Sequence, residues 1–358
     1  MRRVIFTSFV FSVAMLFAPG AFLPLRAQIN AWGYSVGFEY FLDNTEFKRS
    51  NLTQDQTLSA VRLSPALQLN WGEGHGFVAG FTALRHTGST AFVDDMQPVA
   101  YYRFERKDQR LFAGLFPRSE ALKGYSDFFF QDSIAYFRPM LEGLFWQWGK
   151  TDASFLNLWL DWTGRQTAST REAFWLGASA GWRRGVFFTD FRSSLHHFAL
   201  TASAVPGQRV CDYALTELSL GLRKEKLGPF ENVLVSFGSL AGLERERNVS
   251  GNTHLPVGMI GRLQLGFRRI GSDNVFYFGA PRMRLYPKLG NAFYWGNPFL
   301  RASSYFRSKL YWDVFRSDAL HLQIASRFHH SELQWFFEQL LVLQLNLNRW
   351  WKKRFRTP

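Results

Sequence analysis

The stretch LVLQLNLN, residues 341–348, alternates almost strictly: Leu341, Leu343, Leu345 and Leu347 share one side, Gln344, Asn346 and Asn348 the other. Successive side chains of a strand point to opposite faces, so the segment has one oily and one polar face. In a soluble sheet the leucines would face a core. In a membrane barrel they would face lipid while the amides face water. The rest of the chain decides between the two.

The same rhythm recurs. WGYSVGFEY sets Trp32, Tyr34, Val36, Phe38 and Tyr40 against Gly33, Ser35, Gly37 and Glu39; FLNLWLDW sets Leu156, Leu158, Leu160 and Trp162 against Asn157, Trp159 and Asp161. VRLSPALQLNW and LPVGMIGRLQLGF behave likewise, and weaker copies fill most of the chain. Each alternating run is about ten residues, the length a tilted strand needs to cross a bilayer, and about 16 strands (14–18) can be placed. One run is read over residues 274–285. Links after even-numbered strands are short, as in GEGH, RKDQ and RSDA, whereas links after odd-numbered strands are mostly longer. Short periplasmic turns alternating with longer external loops mark outer-membrane barrels. The expected fold is therefore all-β, a closed antiparallel transmembrane β-barrel with leucines outward.

The N-terminus agrees. A basic MRR, an apolar run and LRA before Gln28 read as a secretory signal peptide over residues 1–27, leaving residues 28–358 as the barrel with a short basic tail, 352–358. Loss of Arg2, Arg3 and Arg26 with that leader lowers the formal charge from +14 to +11. The charges are scattered over an exported chain, which argues against nucleic acid as a partner. Cys211 is the single cysteine, so no internal disulfide or cysteine metal cage is available.

Leader, alternating strands, link rhythm and the C-terminal aromatics Trp350 and Trp351 together resemble a bacterial outer-membrane β-barrel of porin-like size. The resemblance covers almost all of residues 28–351 and is architectural, without a family-specific motif. It implies residence in the outer membrane among lipid and lipopolysaccharide, and insertion by the barrel-assembly machinery. Such barrels usually end on an aromatic residue, whereas KKRFRTP follows Trp351 here, so either Phe355 or an internal segment serves as the insertion signal.

Parity places Arg62, Arg103, Arg192, Arg262, Arg282, Arg284, Arg307 and Lys309 toward the lumen, opposite acids that include Asp161 and Glu217. A wetted lumen with slightly basic walls favours anions, and paired charges alone would also explain it. Two loops, GYSDFFFQDSIAYFRPM and GNAFYWGNPF, carry too many aromatics to lie open to water. Tyr294 and Trp295, with Trp159, are candidates for stacking on sugar rings; packing as a lid is the competing reading. His196–His197 and His329–His330 are paired, but neighbours on a strand point opposite ways, so no metal site and no cofactor is expected. Ser193 or Ser194 near His196 is the nearest approach to a hydrolytic pair, without a supporting motif. The expectation is a passive channel for small hydrophilic, anionic or saccharide solutes. The alternatives are a non-conducting barrel whose loops serve an envelope assembly, secretion or binding complex, and a surface lipid hydrolase. No enzymatic role is expected.

Overall fold

The computed structural model describes residues 29–352 apart from Arg49 and Ala204; the expected leader, Phe355 and the end of the basic tail lie outside the described residues. Sixteen long strands form one antiparallel sheet: β1 (Ile29–Glu46), β2 (Gln56–Trp71), β3 (His75–His86), β4 (Asp95–Arg106), β5 (Gln109–Pro117), β6 (Met140–Gly149), β7 (Phe155–Gly164), β8 (Ala173–Arg184), β9 (Phe187–Phe198), β10 (Cys211–Lys224), β11 (Asn232–Glu246), β12 (Val257–Phe267), β13 (Ile270–Gly279), β14 (Ser304–Arg316), β15 (Leu320–Ser331) and β16 (Gln334–Lys352). A two-residue strand, Thr253–His254, extends the pairing beside β11. Each strand pairs with its chain neighbours, and β16 returns to β1 with Trp32 opposite Trp351 and Glu46 opposite Phe337. Closure leaves no free sheet edge, so the backbone groups of the wall are satisfied within the sheet even in hydrocarbon.

Register settles which face is which. Leu345 lies opposite Phe38 of β1 and Leu320 of β15, an apolar row on the outside. Its neighbour Gln344 lies opposite Glu39 and donates an amide hydrogen bond to that carboxylate, 2.9 Å away, on the inside. The outer wall exposes large apolar side chains such as Leu67, Phe237 and Phe278, whereas every charged wall residue described below points inward or sits at a rim. Trp32 and Trp351 stack with ring centroids 4.3 Å apart at the periplasmic end, in the position of an aromatic girdle.

Links at the periplasmic side are short and those outside are longer, with one exception. Glu332 and Leu333 close β15 to β16 on the external side as a two-residue turn with both φ values positive, 51° and 61°, the geometry of a type I′ hairpin. The expected strand over residues 274–285 is shifted: it runs Ile270–Gly279 and stops there. Pro281 has no N–H to give a ladder, and Met283 adopts a positive φ of 58°, so the apolar–basic alternation of PRMRL continues in a loop.

Candidate functional site: a looped plug and an acidic neck

Two external loops fold into the lumen. The first, residues 118–139, carries two short helices, α1 (Arg118–Leu122) and α2 (Asp132–Phe137); the second, residues 280–303, carries α3 (Tyr286–Leu289) and two 3-10 turns. The loops join backbone to backbone: Gln131 N–H donates to the Trp295 carbonyl at 2.8 Å, and Asn297 N–H to the Asp127 carbonyl at 2.9 Å. Gly296 permits that approach, since a Cβ there would meet the Phe128 carbonyl oxygen at 2.1 Å. The buried aromatics of both loops then fill the outer half of the barrel. Phe293 and Tyr294 pack on Tyr213, Trp295 on Trp175, Phe128 on Tyr277, and Phe299 on Tyr305 and Phe336. Burial of so many rings supplies the apolar area that holds the loops inside.

Ion pairs pin the same loops to the wall. Arg118 pairs with Asp161 of β7 and donates to the Arg138 and Met140 carbonyls. Asp127 pairs with Arg307 of β14 at 2.8 Å, and Asp132 with Arg327 of β15 at 2.6 Å. Burial pushes the Asp127 carboxyl up, but Arg307 and Arg327 outweigh it and hold the group below its ordinary value.

Three cavities meet where Asp132 projects. One, of about 770 Å³, is lined by Arg62, Arg118, Gln344 and Asn346 on the β1–β6 side. A second, of about 340 Å³, is lined by Arg192, Arg262, Arg307 and Lys309. A neck of about 100 Å³ leads past Thr53 and Gln54 of the first external loop. Asp132 lines all three. At the neck the carboxylates of Asp43, Asp132 and Glu338 offer oxygens within 4.8 Å of one another, a set able to hold a cation. Arg327 already neutralises part of that charge, reaching Glu338 at 3.0 Å, and His329 Nε2 lies 3.0 Å from the same carboxylate. Asp43 Oδ1, buried, has no hydrogen-bond partner among the described residues.

The residues expected from parity divide into three groups. Arg62 pairs with Glu39 at 2.6 Å and donates to the Tyr136 carbonyl; Glu217 takes a two-pronged pair from Arg262; Arg192 lies 3.4 Å from Asp190; Lys309 donates to Gln323 at 2.7 Å. All of these, with Arg307, face the interior. Arg103 also faces inward but near the periplasmic end, donating to Asn70 at 2.9 Å and lying over Trp350. Arg282 and Arg284 are not wall residues. Arg282 is a buried clasp for the second loop, donating to the Pro256 and Leu240 carbonyls, and Arg284 is exposed outside. The stacking candidates are consumed by the plug: Trp159 donates to the Tyr125 hydroxyl at 3.1 Å, Tyr294 donates to Glu244 at 3.1 Å, and Trp295 lies between the guanidinium groups of Arg118 and Arg138. None of the three rings has a face open to a sugar. His196 points inward, donating from Nδ1 to the Phe293 carbonyl at 2.8 Å, and His197 outward. Ser194 is buried on the same inner face as His196, but its Oγ and the His196 Nε2 find no hydrogen-bond partner among the described residues, and Ser193 bonds Thr216 on the outer wall, so neither serine is hydrogen-bonded to His196.

Sequence reasoning missed the neck. Asp43 and Glu338 belong to inward positions of β1 and β16 and were open to the same parity argument. Asp132 carries no such signal, because its placement depends on how a long loop folds.

The family model described as Lipid A 3'-O-deacylase-type matches residues 27–199, the segment from β1 to β9. It describes an enzyme family, and this match overturns the expectation that the chain has no enzymatic role. No curated protein matches. Among solved structures, OccK8 (OprE) of Pseudomonas aeruginosa is similar at 10% identity and a TM-score of 0.53, covering 88% of this chain and 98% of its own. A loop L8 deletion mutant of OmpT, an outer membrane protein of Vibrio cholerae, gives 8% and 0.53, covering 89% and 100%. OccK11 (OpdR) of Pseudomonas aeruginosa gives 13% and 0.51, covering 89% and 96%. Likeness at these identities shows the fold: with its closed wall and outward-facing leucines, the chain has the porin-like β-barrel fold that these outer-membrane proteins share.

Proposed function

We propose that the barrel is a narrow, loop-gated path for small hydrophilic solutes, with Asp132 at its constriction. The observation that carries the reading is that one carboxylate lines three cavities, of which the inner chamber and the neck have mostly polar walls. The larger cavities open beneath the plug toward inward-facing amides and hydroxyls, the surface a hydrated solute needs. The neck is too small for free passage, so transit requires α2 to shift away from β15 and β16. Acids prevail at the neck. Deeper, Arg192, Arg223, Arg262, Arg307, Lys309 and Arg327 outnumber Asp127, Asp132, Asp190 and Asp273, so the inner chamber favours anionic groups. A small solute bearing separated positive and negative groups, or an uncharged polyol, fits this sequence of fields better than a simple anion. Insertion by the barrel-assembly machinery belongs to the same proposal.

The test is reversal-potential and single-channel recording on the purified chain in planar bilayers, comparing wild type with D132N. The reading expects small steps whose ion selectivity moves toward anions in D132N. Identical selectivity in both proteins would overturn it.

A second reading, hydrolysis of an ester-linked acyl chain on an envelope glycolipid, is favoured by the family-model match. The matched segment includes Asp43 and Asp132, which line the neck, where carboxylates could hold and activate water. Mass spectrometry of lipid A from a host expressing wild type or D43N decides it. Loss of an acyl chain with wild type alone supports hydrolysis; an unchanged acyl pattern with both dismisses it.

A further inference from the structure

One charged cluster belongs to neither the plug nor the neck. On the lipid-facing side, at the external ends of five consecutive strands, cross-strand pairing aligns Trp162, Phe174, His197, Asp212 and Arg245 in a single row. Trp162 stacks on Phe174 with centroids 5.2 Å apart, and Phe174 packs on His197 at 4.9 Å. His197 Nδ1 lies 2.8 Å from Asp212; Arg245 and, just beyond β11, Arg247 reach the same carboxylate at 2.7 Å. Asp212 is 3% exposed, sealed by these partners, while Arg245 and Arg247 keep about two-fifths of their side chains accessible.

We propose that this row is a binding site for a phosphate-bearing glycolipid of the outer leaflet. Two aromatics fix its depth at the membrane interface, where such rings concentrate. Two guanidinium groups around one carboxylate leave a net positive charge, and exposed Arg209, beside the Val210 carbonyl that takes the Arg247 N–H, adds to it. Asp212 engages Nε and one terminal nitrogen of each guanidinium, so each arginine retains N–H groups directed away from it. A planar guanidinium matches phosphate oxygens geometrically. Below the row, two pairs down each strand, Ala178, Ser193, Thr216 and Ala241 form a line of small side chains, a shallow track in which acyl chains attached to that headgroup can lie. The site does not depend on either reading of the lumen.

The experiment follows the temperature at which the folded, fast-migrating form of the full detergent-purified chain is lost on an unboiled gel. The probes are bisphosphorylated lipid A, the same lipid with its phosphates removed, and inorganic phosphate. Bisphosphorylated lipid A should raise that temperature for wild type, and R245Q/R247Q should require roughly tenfold more lipid for the same shift, as expected on losing two charge-assisted hydrogen bonds. Should the double variant not fold, the single R245Q is read in the same way, with a smaller displacement. Equal responses of wild type and variant would overturn the site. Equal protection by dephosphorylated lipid would show that apolar contact alone suffices and would also overturn it. Protection by inorganic phosphate at the concentration effective for the lipid would assign the site to free phosphate instead of glycolipid.

Discussion

Arg118, at the start of the first inward loop, and Asp161, on the wall of β7, form an ion pair that is almost fully enclosed. The guanidinium also donates to the loop carbonyl of Arg138 and the β6 carbonyl of Met140, and lies against Trp295 of the second loop. One side chain thus ties wall, first loop and second loop together. Removing it leaves Asp161 buried without its countercharge. Arg118→Ala should destabilise the plug by about 3–5 kcal/mol, the usual cost of stranding one member of a buried pair. Limited proteolysis is the check: cleavage within residues 118–139 should accelerate in the variant, while the barrel keeps its unboiled gel mobility.

Trp295 tests the apolar half of the same device. It packs on Trp175 and is 2% exposed. Trp295→Ala should cost the plug about 3–5 kcal/mol, in line with other buried aromatic truncations. Near-ultraviolet circular dichroism should lose much of its aromatic signal with the far-ultraviolet β spectrum unchanged.

Orientation of the wall makes a prediction on adjacent residues. Leu345→Arg places a charge against acyl chains and should lower folding stability in lipid vesicles by about 2–4 kcal/mol near the midplane. Gln344→Arg faces water beside Glu39 and should change it far less. Equilibrium urea titration in vesicles separates the two.

Acid should loosen the plug. The Asp127 carboxyl sits below its ordinary 3.8 because Arg307 and Arg327 favour its charged form more than burial opposes it. A depressed value means the folded state binds this proton less readily than the unfolded state. Its contribution is therefore complete above the ordinary value and is lost as pH falls through the depressed one. Protease access to the loops should rise only below about pH 3.8, and Asp127→Asn should abolish that acid-dependent increment while raising access at neutral pH.

How much of this could be read from sequence depends on where periodicity exists. Leu341 to Leu347, Trp32 to Tyr40 and Leu156 to Trp162 declare their faces, because period two translates directly into inside and outside. The interior ion pairs of Arg62, Arg262 and Arg307 follow from the same rule. It misplaced Arg282 and Arg284, since alternation persisted beyond the end of the strand at Gly279 and only the backbone of Pro281 and Met283 stops the strand. Loops obey no such rule. The excess of aromatics in 125–137 and 293–299 announced that those loops must be covered, but the partners that cover them lie far away in sequence. Asp132 joins Asp43 and Glu338 only once both loops have folded inward. Tyr294 and Trp295 looked equally suited to a ligand or a lid, and the contacts with Tyr213, Trp175 and Glu244 make them a lid.

The central claim is that the lumen is closed by the two inward loops down to the neck at Asp132. Single-channel recording of wild type beside a variant in which residues 284–299 are replaced by a short Gly–Ser linker tests it most directly. The account predicts small, infrequent steps for wild type and large, steady conductance once the second loop is gone. Large, steady conductance from wild type, unchanged by that deletion, would contradict it.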